Sequence, residues 1–150
     1  MTDNGTVDRE EIDRFSAIGA EWWDPEGPMR PLHKLTPFRT AWIWQQCATL
    51  LDRPVAGADR PLDGLSLLDI GCGGGLVSEP MSDLGAAVTG IDADEKGIAA
   101  ARTHAAESGL EIDYRCATSG DLVAEGLSFD IVLALEIIEH TADPALFQQE

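Results

Sequence analysis

Between Leu67 and Glu79 the chain reads LLDIGCGGGLVSE. An apolar run of strand character ends at Asp69 and Ile70. Four of the next five residues, Gly71, Gly73, Gly74 and Gly75, then have no side chain. Glycine loses more backbone freedom on folding than any other residue, so such a cluster implies that something must approach the backbone closely there. The setting that suits it is the strand-to-helix turn of an open α/β sheet, where ligands bind outside the carboxyl ends of the strands. A glycine-rich turn that holds no ligand is the alternative.

The flanking sequence repeats the same unit. LSLLDI (65–70) has the pattern of a strand and residues 75–84 that of a helix. AAVTGID (86–92) is a second strand, and residues 94–108 an Ala-rich helix closed by Gly109. EIDYRCA (111–117) gives a third strand, and FDIVLALEII (129–138) starts as a fourth. DPALFQQE (143–150) opens a helix capped by Asp143, with Pro144 at its first position. Alternating strands and helices imply a doubly wound, Rossmann-like parallel sheet of the α/β class. Such a sheet normally continues past four strands, so its C-terminal strands are expected beyond Glu150.

Upstream, residues 8–23 read as a helix. Asp8 stands as cap with Glu11 three residues on, and Ile12, Phe15, Ile18 and Trp22 trace one face. WWDPEGPMRP breaks that helix, and a second spans roughly Pro37 to Leu51. The expected organisation is an N-terminal helical cap (1–51), a loop rich in Pro, Gly and Asp (52–64) and an α/β domain (65–150).

Composition excludes some partners. A net charge of −17 repels phosphate backbones and anionic head groups, so nucleic acid is not an expected partner. Cys47, Cys72 and Cys116 lack metal-ligand spacing, and their odd number suggests reduced thiols and a cytoplasmic home. The acidic N-terminus has neither secretory nor transit-peptide character, and no apolar run approaches a membrane span.

Two ligands compete for the glycine loop. The dinucleotide fingerprint G-x-G-x-x-G requires a third glycine where this chain has Leu76. What fits is the alternation Asp69-x-Gly71-x-Gly73-x-Gly75, which resembles the first motif of class I S-adenosylmethionine-dependent methyltransferases. In that class the glycines admit the amino-acid end and ribose of S-adenosyl-L-methionine. Asp92, 21 residues after Gly71, ends the second strand, where a carboxylate can accept both ribose hydroxyls. NAD shares that aspartate, so the alternation decides between the two. The third strand ends in Cys116-Ala117-Thr118-Ser119, without the carboxylate such enzymes often place against the adenine, which leaves backbone groups and the two hydroxyls for that contact. A catalytic Cys72 thiol is a minor alternative, since no helper histidine lies nearby in sequence.

A second cluster sits where the fourth strand ends. In ALEIIEH (134–140), Glu136, Glu139 and His140 converge on one face if the backbone turns helically. Two carboxylates and an imidazole suit a hard divalent cation such as Mg²⁺. A solvated acidic turn is the competing interpretation.

Together WWDPEGPMRPLHKLTPFR, LLDIGCGGGLVSEPM, VTGIDADEKGIAAARTHA and EIIEH resemble the ubiquinone-biosynthesis O-methyltransferase family, over nearly all of the chain from about Glu11. The resemblance implies methyl transfer from S-adenosyl-L-methionine to a phenolic hydroxyl of a polyprenylated catechol or phenol. It implies that Arg39 reaches the cofactor's carboxylate and that Gly71, Asp92 and Leu135 contact the cofactor. Glu136, Glu139 and His140 would hold magnesium, with Glu136 and His140 as catalytic residues; His140 acting as a metal-free general base is the other version. It also implies transient contact with the membrane surface, expected through a C-terminal region because no basic amphipathic helix is evident, and association with other enzymes of the pathway. Trp22 and Trp23 are either core or an aromatic lid, and His33 is a candidate substrate or supporting group. A methyltransferase for another small phenol or amine, and a non-catalytic cofactor- or partner-binding fragment, are the alternative functions.

Overall fold

The computed structural model describes residues 7–53 and 59–149; residues 54–58 of the expected 52–64 loop lie outside the described residues. Four parallel strands form one sheet in the order β3-β2-β1-β4, with β1 at Ser66–Ile70, β2 at Ala87–Asp92, β3 at Asp113–Cys116 and β4 at Ile131–Leu133. Leu67 pairs with Val88 and Ile131, and Asp69 with Gly90 and Leu133. The chain thus winds outward in both directions from β1. The crevice outside the carboxyl ends of β1 and its neighbours is where a doubly wound sheet receives a ligand.

β1 is buried on both faces because its side chains alternate between two cores. Leu67 joins Val88, Ile131, Leu133, Met81 and Ile43 on one side, and Leu68 joins Ile91 and Leu122 on the other. Leu67 and Ile91 are almost wholly buried, a contribution of about 1.5–3 kcal/mol each relative to exposure. Helix α3 (Ser78–Asp83) presents Met81 to the first core. Helix α4 (Glu95–Glu107) lays Ile98, Ala101 and Ala105 against Tyr114 and Cys72. Asp94 caps α4 through the amides of Lys96 and Gly97.

Several sequence expectations are corrected. The first helix is only Arg9–Ser16 (α1), because Gly19 adopts a positive φ of 52° and a 3₁₀ turn, Gly19–Trp23, follows. The second helix, α2, runs Arg30–Leu50 and starts seven residues before Pro37. Thr36 and Pro37 imitate a helix start, but the Thr36 hydroxyl donates back to the Leu32 carbonyl at 2.7 Å and the helix passes through. An interior proline costs about 3 kcal/mol, here offset by burial of Ile43 and Ala48 further along. α2 carries no Asp or Glu, holds Arg30, Lys34 and Arg39, and exposes Phe38, Trp42 and Leu50. These cationic and exposed apolar side chains lie on one long helix.

Helix α5 (Ser119–Ala124) was not foreseen. Thr118 and Asp121 form a reciprocal capping box, T-x-x-D, which is its sequence signal. The fourth strand covers only Ile131–Leu133 of the 129–138 run, and Glu136, at φ 52°, precedes a 3₁₀ turn at Ile138–His140. Helix α6, Pro144–Phe147, follows with its expected Asp143 cap. Among the described residues no helix is long and apolar enough to cross a membrane.

Candidate functional site

A cleft opens at the carboxyl ends of β1, β2 and β3. Ile70, Gly71 and Gly73 come from β1 and the glycine loop, Ile91 and Asp92 from β2, and Ala117 to Ser119 from the segment after β3. Helix α1 lies along it with Asp8, Glu11, Ile12 and Phe15, and Glu136, Ile137 and His140 form the remaining wall. The lining is mostly apolar with few polar groups, the character of a small-molecule site.

Asp92 is the best anchored of those polar groups. Its Oδ2 accepts from the Gly73 amide at 2.9 Å and its Oδ1 from the Asp94 amide at 2.8 Å. Burial pushes its carboxyl above the ordinary range, and the two amides partly draw it back. The carboxylate ties the glycine loop to β2 and still lines the cleft. Asp69 behaves differently. It is buried, accepts from the Ser78 hydroxyl at 2.6 Å, and burial raises its pKa to about 6. It braces the loop against the start of α3 and does not line the cleft.

The glycines are explained in part by the protein's own side chains. A Cβ at Gly73 or Gly74 would run into the Trp22 indole, one at Gly75 into the Tyr114 hydroxyl, and one at Gly71 into Ile137. Gly73 also has φ 53°, a region that favours glycine. Trp22 is therefore packed onto the loop, and it also lines the cleft. Its Nε1 is buried without a protein partner, so a donor beside the cleft is unspent. Trp23 faces away. Its Nε1 donates to the Gly74 carbonyl at 2.8 Å, and its ring stacks on His104, centroids 3.5 Å apart. His104 Nδ1 in turn meets buried Glu79 at 2.8 Å. His33 donates from Nε2 to the Trp22 carbonyl at 2.9 Å and so holds the tryptophan turn in place. Cys72 is buried, and burial together with the nearby Asp69 and Asp92 pushes its thiol well above the ordinary value, the opposite of an activated nucleophile.

The segment after β4 is tied to the N-terminal helices. Glu136 Oε1 lies 2.6 Å from an Arg39 guanidinium nitrogen, and this contact holds the Glu136 carboxyl below its usual range. His140 Nδ1 lies 3.1 Å from Glu11 on α1, and its ring meets Phe15 edge-on at 6.0 Å. A bridge between Val7 and Thr141 adds a backbone link. Glu139 is 3.9 Å from His140 Nε2.

The expected convergence of Glu136, Glu139 and His140 is therefore not present. Among the described residues no three His, Cys, Asp or Glu side chains are grouped to hold a metal ion. The reason is local: positive φ at Glu136 interrupts the helical spacing, and two of the three side chains are engaged by α1 and α2. Of the other expected site residues, Gly71, Gly73, Asp92, Glu136 and His140 line the cleft. Arg39 sits behind Glu136, Gly75 packs on Tyr114, and Leu135 packs against the hydrophobic core rather than the cleft. Sequence reasoning missed Glu11 and Phe15 as site residues; their helical spacing signals a buried face but not the surface it covers. It also left Thr118 as a candidate ligand group without its role in the α5 cap.

Comparison with known proteins agrees with this architecture. The methyltransferase domain family matches residues 68–150. A ubiquinone biosynthesis O-methyltransferase from Caulobacter vibrioides is 57% identical over 143 residues, which is 95% of this chain and 56% of that protein. The protein of the same name from Ruegeria pomeroyi is 55% identical over 139 residues, 93% of this chain and 56% of its own length. The chain thus spans little more than half the length of these curated relatives. The solved structure of magnesium protoporphyrin IX methyltransferase from Synechocystis PCC 6803 with bound SAH is 26% identical, with a TM-score of 0.54 over 87% of this chain and 55% of that one. The plantazolicin methyltransferase BpumL, 18% identical with a TM-score of 0.58 over 94% of this chain and 55% of its own, shares the fold. With more than half of its residues, including the glycine loop and the carboxylate that ends β2, inside the matched span, the chain belongs to the methyltransferase domain family.

Proposed function

We propose that the chain binds S-adenosyl-L-methionine in the β1–β2 cleft and serves an O-methyltransferase acting on a phenolic hydroxyl of a polyprenylated catechol or phenol in ubiquinone biosynthesis. The observation that carries the cofactor reading is Asp92, a carboxylate fixed by two backbone amides and facing a mostly apolar cleft beside glycines. A ribose diol matches that acceptor, and the unspent Trp22 Nε1 offers a donor nearby. The substrate class comes from the relatives' names and from the family resemblance of the motifs quoted above.

The cofactor supplies a methyl group on a sulfonium. The chain's own contribution is to hold it, to exclude water with α1 and the Ile70, Ile91 and Ile137 side chains, and to place a base at the cleft wall. His140 is the base this geometry favours, since it lines the cleft and Glu11 meets its Nδ1. Magnesium at Glu136, Glu139 and His140 requires those groups to gather, and as placed they do not, so no step is assigned to the ion. The prenyl tail of such a substrate implies contact with a lipid surface, and the acid-free α2 with Phe38 and Trp42 exposed is the described element suited to it.

Calorimetric titration with S-adenosylhomocysteine, beside NAD, tests the cofactor. Binding of S-adenosylhomocysteine alone is expected, and Asp92→Ala should weaken it by about a hundredfold or more, since two hydrogen bonds to a charged acceptor are lost. Transfer of labelled methyl to a short-chain prenylated catechol tests the substrate class. Turnover undiminished by EDTA favours the His140 base; loss restored by Mg²⁺ assigns the ion a role. A second reading, a cofactor-binding piece that works by association, draws on β4, which among the described residues pairs only with β1 and leaves Val132 exposed at the sheet edge. A concentration-independent monomeric mass would exclude it.

A further inference from the structure

The Arg39–Glu136 pair is a carboxylate held at the edge of the cleft by a guanidinium. The two residues come from elements far apart in sequence, α2 and the turn after β4. The contact, at 2.6 Å, is close, and Arg39 is the more buried partner. Glu136 reaches it from a positive φ of 52°, a backbone state that a glutamate seldom adopts. Its side chain is otherwise half exposed and lines the cleft. A guanidinium is suited to accepting any carboxylate presented in its plane.

We propose that Glu136 is an internal stand-in for the carboxylate of the bound amino-acid-bearing cofactor, displaced from Arg39 when that cofactor binds. This rests on the S-adenosylmethionine reading above. The exchange swaps one carboxylate for another at Arg39, so the guanidinium is never left unpaired. The displaced Glu136 leaves its strained backbone state and turns its charge into the cleft wall beside His140. The wall that faces the second substrate is then completed only after the cofactor has arrived, which orders the two binding events. Linkage makes the effect reciprocal: whatever Glu136 binds after its release strengthens the hold on the cofactor.

Calorimetry on the wild-type chain and Glu136→Ala, with S-adenosylhomocysteine and with 5′-methylthioadenosine, separates the possibilities. The second ligand keeps the nucleoside and thioether but has no carboxylate. The exchange predicts that Glu136→Ala binds S-adenosylhomocysteine about two- to fivefold more tightly, the range of a part-exposed ion pair, and 5′-methylthioadenosine unchanged. The gain should vanish in an Arg39→Ala background. Unchanged or weaker S-adenosylhomocysteine binding by Glu136→Ala overturns the exchange while leaving the cofactor reading intact. An equal gain for both ligands also overturns it, because the effect would not involve the carboxylate. A wild-type chain that binds neither ligand overturns the cofactor reading and the exchange with it.

Discussion

The two walls of the cleft are built from different forces. The β1–β2 wall is held by backbone amides, buried carboxylates and glycines that admit a tryptophan: Gly73 and Asp94 donate to Asp92, Ser78 to Asp69, and Trp22 lies on the loop. The opposite wall, residues 136–141, is held by side-chain pairs with solvent at hand, Arg39 with Glu136 and Glu11 with His140. The first wall rests on backbone amides and tight packing, the second on partly exposed ion pairs, and the exchange proposed at Arg39 draws on that difference.

The largest expected effect lies in the first wall. Gly73→Val places a branched side chain where three ring carbons of Trp22 already lie, at a backbone φ of 53°. It should destabilise the chain by about 3–5 kcal/mol, read from urea denaturation. A loss below about 1 kcal/mol would show that Trp22 moves aside and that the wall is not fixed.

Asp69 gives the next largest. Its folded pKa of about 6 lies above the unfolded value of about 3.9, so the folded state holds the proton more tightly. The group's contribution therefore favours folding at low pH and declines as pH rises from about 4 to 6. Asp69→Asn keeps an acceptor for Ser78 and removes the titration. It should be more stable than the wild type by up to about 3 kcal/mol at pH 7.5 and indistinguishable near pH 3.5. Equal stability at both pH values would mean that the carboxylate is better solvated than its burial indicates.

The smallest effect belongs to the second wall. Glu11→Gln removes the partly exposed partner of His140 and should change stability by less than about 1 kcal/mol. It should modestly speed hydrogen exchange across α1, which keeps the Val7–Thr141 bridge, the Phe15 contacts with Trp22 and His140 and its packing on α4. Destabilisation as large as that of Gly73→Val would erase the contrast between the walls.

The same contrast governs what was legible in advance. β1, β2 and α4 were readable because apolar periodicity and the Gly109 stop act within a few residues. Asp92 was readable because the apolar run AAVTGI marks the strand that it ends. The pairing of Glu136 with Arg39 and of His140 with Glu11 was not, because the partners stand on α2 and α1, far away in sequence, and Glu136 interrupts the helical spacing assumed for that segment. α2 was misplaced because Thr36-Pro37 carries a local start signal that packing of Ile43 and Ala48 overrides.

The sequence by itself determined the α/β class, the cleft at the β1–β2 edge and the carboxylate within it. Each of these depends on spacing along a short segment. Only the tertiary structure decided which side chain fills the space the glycines leave, which acid braces the loop and which faces the ligand, and that Arg39 meets Glu136 and Glu11 meets His140. Those pairings join residues roughly a hundred positions apart or more, and no local preference of either partner encodes them.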